Sequence, residues 1–433
     1  MLSKKEIEFI IENGNADTGK LLLSAARYPG INVKLCVNCI EARRKIVAKL
    51  PQWHANTALV YPFPLSAEQC SSQLSGEYKR EIIDETLKNR RAECNGKGAD
   101  FTGGMGADTF YLSGLCSKFY YFERNQELCK ATEYNLSQLG INNVEANNIE
   151  INNKNISTLP GAPYDFIFID PARRSKADSS AKVISLLDYE PNIVELKEEL
   201  LKQASVILVK VSPMADIKLN LGLLPETSAV YIVSVGNECK ELLFLLENRI
   251  HTQEYNINDI PITAINIRNT DKNAVCINKA GLSDKAGNSR EIFSFTFGKE
   301  ENALVSYANK TEEYLYEPNK SLLKGGAFKI LSETFGLKKL APSTHLYTSE
   351  ELIPDFPGKI YKIEETIEFN KKTLKKLAAR YAHADLTARN FPLNTNELKR
   401  LSGIKDGGNR HIFATTLNNS SRILLVTCAV QPR

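Results

Sequence analysis

Between about residues 93 and 252, short apolar runs alternate with amphipathic stretches, and this alternation limits the fold more than any other feature of the chain. "ADFTGG", "KFYYFE", "NVEANN", "YDFIFID" and "SVILVKVSP" read as strands. "ADTFYLSGLC", "NQELCKATEYNLSQLG" and "IVELKEELLKQ" read as helices between them, with apolar residues every three or four positions. Parallel neighbours need a crossover, and a helix is the usual one. Strands that take turns with helices therefore predict an α/β fold with a mostly parallel sheet. "AVYIVSVGNECKELLFLLEN" reads as two strands and a polar turn, which adds one antiparallel edge strand.

The flanks have another texture. Residues 1–92 read as a helical N-terminal domain, from "KKEIEFIIEN" to "EYKREIIDETLKNR". Residues 253–345 carry short strands, "ITAINI", "AVCIN" and "EIFSFTFG", then a helical piece broken by glycines. They predict a small α+β domain, and residues 346–433 a second one. A chain of 433 residues is too long for one core, so four domains are in keeping with its length. From Lys359 to Arg433 there are fourteen Lys/Arg against six Asp/Glu, a charge of +8 in a chain whose net charge is +4. A basic end on a mildly acidic body predicts a polyanionic partner, nucleic acid first.

Nine cysteines without regular spacing predict reduced thiols and a cytoplasmic protein. The start, "MLSKKEIEFIIENG", mixes acids with bases and does not read as a secretory signal. No apolar run approaches the roughly 20 residues that span a bilayer. Cys36-x-x-Cys39 stands alone in a helical pattern and reads as a pair of structural thiols. Five scattered histidines give no metal-ligand spacing, so no metal is expected.

"DFTGGMGAD" at 100–108 puts a glycine turn at the carboxyl end of the first strand. In doubly wound sheets ligands bind there, and glycine lets them approach the backbone. A dinucleotide site wants a third glycine where this chain has Thr109, and no G-K-[ST] follows. Asp100 would sit badly beside a pyrophosphate. It suits a cationic or donor-rich ligand, and S-adenosylmethionine fits, with its ammonium and sulfonium and no phosphate. Glu123, at the end of the second strand, is placed to accept from both ribose hydroxyls. Asn148, on the third, is the candidate for the adenine amino group.

"YDFIFIDPARR" ends the most apolar strand in Asp170 and Pro171. A polar tip there is expected to face the transferred methyl. Asp170 would orient or deprotonate the target, and Arg173 and Arg174 would contact phosphate or base. Lys210, at the next strand tip, is a further candidate.

In order and spacing, "DFTGGMGAD", "FERN" and "FIDPAR" resemble motifs I, II and IV of class I S-adenosylmethionine-dependent methyltransferases. The resemblance covers about residues 85–250. It implies a Rossmann-like domain at 93–252 whose cofactor site comprises Asp100, Thr102, Gly103, Gly104, Gly106, Asp108, Glu123, Arg124, Asn148 and Asp170. Asp170, Pro171 and Arg173 would form its catalytic end. "LVKVSPMAD", "VGNECKELL", "EPNKSLLKGGAF" and "HLYTS" further resemble a bacterial family with a helical N-terminal part, a ferredoxin-like domain and a THUMP-like C-terminal domain. That wider resemblance implies an RNA substrate, tRNA or rRNA.

The fourth motif departs from two chemistries. Amino-directed nucleic-acid methyltransferases carry an aromatic ring where this chain has Arg173. Uridine C5 enzymes need a cysteine after the next strand, and "VKVSP" offers only Ser212. Three other readings stay open: a protein or small-molecule methyltransferase, a module that binds S-adenosylmethionine or RNA without turnover, and, weakest, a dinucleotide oxidoreductase.

Overall fold

The computed structural model describes residues 1–90, 96–173, 185–248, 255–268 and 289–430. The expected boundaries at 92 and 252, Arg174 and the "AVCIN" strand lie outside the described residues. The chain divides into two compact units, residues 1–229 with 242–255, and residues 230–241 with 256–433.

The first unit holds the parallel sheet. Its strands are β1 (Lys97–Asp100), β2 (Lys118–Phe122), β3 (Val144–Asn147), β4 (Tyr164–Ile169) and Ala204–Val211. β1 pairs in parallel with both β2 and β4, β2 pairs with β3, and β4 pairs with Ala204–Val211. The strand order therefore reverses between β1 and β4, and the crevice at such a switch point is where ligands bind. β4 is buried at all six positions. A continuous apolar strand is what a sheet covered on both faces requires. Residues Leu242–Glu247 run antiparallel beside Val206–Val211, with Leu242 opposite Val211.

The N-terminal helices share this unit's core. Ile40, Trp53 and Leu59 belong to one cluster with Met105, Ala107, Ala131 and Leu136, from the glycine turn and the helices after it. The Asn135 side chain joins the two parts, accepting from the Val60 amide at 2.8 Å and donating to its carbonyl at 2.7 Å. Helical periodicity in residues 1–92 shows that apolar faces exist. It does not say what covers them, and here the cover is the glycine turn after β1 and the helices that follow it.

In the second unit Val230–Val235 pairs in parallel with Ile262–Ile267, and Ile262–Arg268 pairs antiparallel with Ser289–Phe295. The strand expected to open a separate domain after residue 253 is thus paired to the end of "AVYIVSV". A second sheet of eight strands follows, with Gly358–Glu368 between Tyr314–Pro318 and Arg422–Ala429. The expected boundary at 345 falls inside the strand Thr344–Ser349, and the two small α+β pieces share this one sheet. Along Arg422–Ala429, Leu424 and Val426 enter one core while Ile423 and Leu425 enter another. Among the described residues no helix is long and apolar enough to cross a membrane.

Candidate active site

The turn after β1 is held from three sides. The Asp100 side chain accepts from the Thr102 amide at 3.0 Å and from Thr109 Oγ1 at 2.7 Å. Thr109, read from sequence only as a missing glycine, is therefore the residue that fixes Asp100. The Gly104 carbonyl accepts from Tyr121 Oη at 2.5 Å and Thr132 Oγ1 at 3.0 Å. The Gly104 amide donates to Glu123 Oε2 at 3.0 Å, and Glu123 Oε1 accepts from the Asn125 amide at 2.7 Å.

The three glycines serve different ends. A Cβ at Gly103 would lie 2.0 Å from Tyr121 Cε2, so this glycine makes room for a ring of β2. Gly104 has φ +55° and Gly106 φ +82°, both left-handed, where side chains are disfavoured. Only Thr102 O, at 3.8 Å, would meet a Cβ at Gly104, so its backbone conformation, not crowding, calls for glycine.

Asp100 is 1% exposed, and no cation among the described residues forms an ion pair with it. Burial pushes its carboxyl up to about 7, with some help from Asp108 and Asp170; the Thr109 and Thr102 hydrogen bonds oppose this. A buried carboxylate without a counter-ion is the environment a bound cation would stabilise.

β4 ends at Asp170, which is pinned twice. Its amide donates to Thr102 Oγ1 at 2.6 Å, and its Oδ2 accepts from Lys210 Nζ at 2.5 Å. The first and fourth motifs thus touch, and Lys210 from the next strand joins them. Pro171 follows, buried. Arg173 is exposed on a two-residue strand and lies opposite Tyr189 in an antiparallel pair. Tyr189 is a site-side residue that sequence reasoning missed, because nothing in its local pattern pointed to it.

Two expected cofactor residues are engaged within the fold. Asp108 is buried between Lys79 Nζ at 2.6 Å and Ser71 Oγ at 2.7 Å. Burial would raise its carboxyl; the charges of Lys79 and Lys210, with the hydrogen bonds from Lys79 and Ser71, outweigh that and hold it low. The Asn148 amide nitrogen donates to the carbonyls of Glu123 at 2.8 Å and Arg124 at 3.0 Å, so it braces the main chain at the end of β2. Arg124 points to Glu150 at 3.5 Å and Glu190 at 3.4 Å.

Elsewhere, Cys36 and Cys39 are wholly buried, and burial pushes their thiols up to about 12 and about 11. That suits structural thiols. Among the described residues no group of His, Cys, Asp and Glu is placed to hold a metal ion.

With this geometry in view, the comparisons are specific. A ferredoxin-like domain family matches residues 314–357, and a THUMP domain-like family matches residues 358–429. A protein of Porphyromonas gingivalis W83, solved as a "putative methyltransferase", is 30% identical to this chain, with a TM-score of 0.80 over 100% of both chains. The chain belongs to that family. It is a class I methyltransferase family with ferredoxin-like and THUMP-like C-terminal domains. More distant matches cover about two fifths of this chain. An rRNA methylase of Streptococcus thermophilus is 19% identical over 39% of this chain and 95% of its own, with a TM-score of 0.29. A SAM dependent methyltransferase of Aquifex aeolicus is 18% identical over 39% of this chain and 98% of its own, with a TM-score of 0.27. No match was found among curated proteins.

Proposed function

We propose that this protein methylates a base in RNA, tRNA or rRNA, with S-adenosylmethionine as donor and Asp170 at the transfer site. The observation that carries the reading is the double pinning of Asp170, by Thr102 of the glycine turn and by Lys210. It sets a carboxylate at the carboxyl end of the central strand, beside the turn where a cofactor would lie.

The residues present fit that cofactor. Gly104 and Gly106 would carry its methionine part, and Asp100 would face its ammonium. Glu123 retains acceptor positions for the ribose hydroxyls beyond the two amides it already binds. Asn148, oriented by two carbonyls, would turn its oxygen to the adenine amino group. S-adenosylmethionine supplies an electrophilic methyl and needs little more than an aligned nucleophile. Asp170 would accept the hydrogen bond, and where needed the proton, of the target nitrogen.

The RNA part rests on the second unit's charge. In the helix Lys371–Arg380, Leu374 and Leu377 are buried while Lys372, Lys375 and Lys376 are exposed. An amphipathic helix with cations along its open face suits a phosphate backbone. The test is transfer of labelled methyl from S-adenosylmethionine into unmodified tRNA and rRNA transcripts, beside a protein extract. Label in RNA is the expected result; label only in protein or small molecules would refute the RNA reading. Binding to the same RNA should weaken with salt. Replacing Lys372, Lys375 and Lys376 by Gln should lower the slope of log K against log salt by about two. An unchanged slope would remove this helix from the interface.

A further inference from the structure

The N-terminal helices reach the transfer site through one side chain. Lys79, on the helix Gln73–Arg90, is 0% exposed. Its ammonium donates to Asp108 Oδ1 and to Ser71 Oγ, both at 2.6 Å, and lies 5.4 Å from the Phe168 ring centre, two residues before Asp170. Asp108 opens the helix after the glycine turn, and its neighbour Thr109 holds Asp100.

Asp108 and Asp170 both lie close enough to Asp100 for their charges to act on it. Two ammoniums answer them, Lys79 and Lys210. Lys210 is bonded to Asp170, yet it is also the next strongest charge felt by Asp108 after Lys79. One cation thus stands within influence of two carboxylates. A buried carboxylate left without its cation is strongly destabilised, and Lys210 is the other cation whose charge acts on Asp108.

We propose that Lys79 is a positioning residue of the transfer site: by satisfying Asp108 it keeps Lys210 on Asp170. The helical segment then supports the transfer site directly. The link to turnover rests on the reading of Asp170 given above; the position of Lys210 does not.

The test uses an asymmetry. Lys79→Met and Asp108→Asn break the same ion pair and leave one buried group without its partner. Only Lys79→Met leaves a carboxylate to compete for Lys210. Crystal structures of the two full-length variants at pH 8 should differ at one atom. In Lys79→Met, Lys210 Nζ should have moved from Asp170 to Asp108; in Asp108→Asn it should remain on Asp170. Methyl transfer, assayed below both unfolding temperatures, should fall at least tenfold in Lys79→Met and fall less in Asp108→Asn. Lys79→Arg should restore it.

The pH profile separates positioning from mere support. Asp108 competes only when ionised, so Lys79→Met should regain activity relative to wild type as pH falls. The other groups that face Asp108 are Lys210, Asp100, Cys70 and Tyr111, and burial raises the Cys70 thiol to about 11 and the Tyr111 phenol above its usual value. Neither Cys70 nor Tyr111 changes charge in the acid range; Asp100, pushed up to about 7, titrates in wild type as well, so the ratio of the two profiles is what reports Asp108. If Lys79→Met does not fold, Lys79→Gln keeps the donors without the charge and carries the same expectation. Lys210 on Asp170 in both variants, or equal losses of activity, would overturn the proposal. Should wild type transfer no methyl at all, the methylation reading fails, and the position of Lys210 still decides this one.

Discussion

Asp170→Asn should lower methyl transfer by about a hundredfold to ten-thousandfold while leaving S-adenosylmethionine affinity within about threefold. The amide keeps the shape and one acceptor but takes no proton. It also loses the charge that draws Lys210 Nζ to 2.5 Å. The Asp170 amide bond to Thr102 Oγ1 at 2.6 Å involves the main chain, so the glycine turn should persist. Affinity and turnover are thereby separable. Single-turnover transfer and calorimetric titration on the same preparation make the check. A variant that transfers at the wild-type rate would show that Asp170 is only an anchor for Lys210.

Gly103→Ala should be the most damaging single change in the cofactor turn. The added methyl would lie 2.0 Å from Tyr121 Cε2 and 2.3 Å from Cδ2. That ring is wholly buried in β2, and its hydroxyl is bonded to Gly104 O. It has nowhere to turn without releasing the carbonyl it holds. Overpacking of this kind costs about 3 kcal/mol. In a unit of this size that corresponds to a fall in Tm of roughly 6–12 °C. Gly140→Ala gives the contrast: Gly140 has positive φ (+81°), which Gly103 does not, and a Cβ there would meet nothing within 4 Å. It should lose only about 1–2 kcal/mol, the backbone term alone. Thermal unfolding of both variants in one buffer decides, and a Gly103→Ala protein that outlasts Gly140→Ala would mean the turn is not packed as described.

The strands of the sheet were legible because both faces are covered. From Phe166 to Ile169 "YDFIFID" is wholly apolar up to its tip, and only a central strand needs that pattern. Asp100, Gly104, Glu123 and Asp170 were legible as strand ends, and the structure brings all four to one end of the sheet. The roles within that set were less so. Asp108 sits in the quoted motif, yet its partners are Lys79 and Ser71, far away in sequence. A signal for Lys79 did exist. It falls on the stripe of Gly76, Ile82 and Ile83, and a lysine in an apolar stripe asks for a buried partner.

Domain limits were the least legible. Ile262–Arg268 alternates as any half-buried strand does, and its pairing with Val230–Val235 depends on main-chain partners that side chains do not encode. Gly358–Glu368 has the same difficulty, because an eleven-residue strand with partners on both sides joins what sequence texture divides.

The central claim is that the turn from Asp100 to Gly106, with Glu123, holds S-adenosylmethionine. Calorimetric titration of wild type and Glu123→Ala tests it most directly. Glu123 contributes charge-assisted hydrogen bonds to the ribose, so its loss should weaken binding by roughly ten- to a hundredfold. Micromolar affinity in wild type, reduced to that extent in the variant, is the predicted result. No binding by wild type, or equal binding by both proteins, would contradict the account.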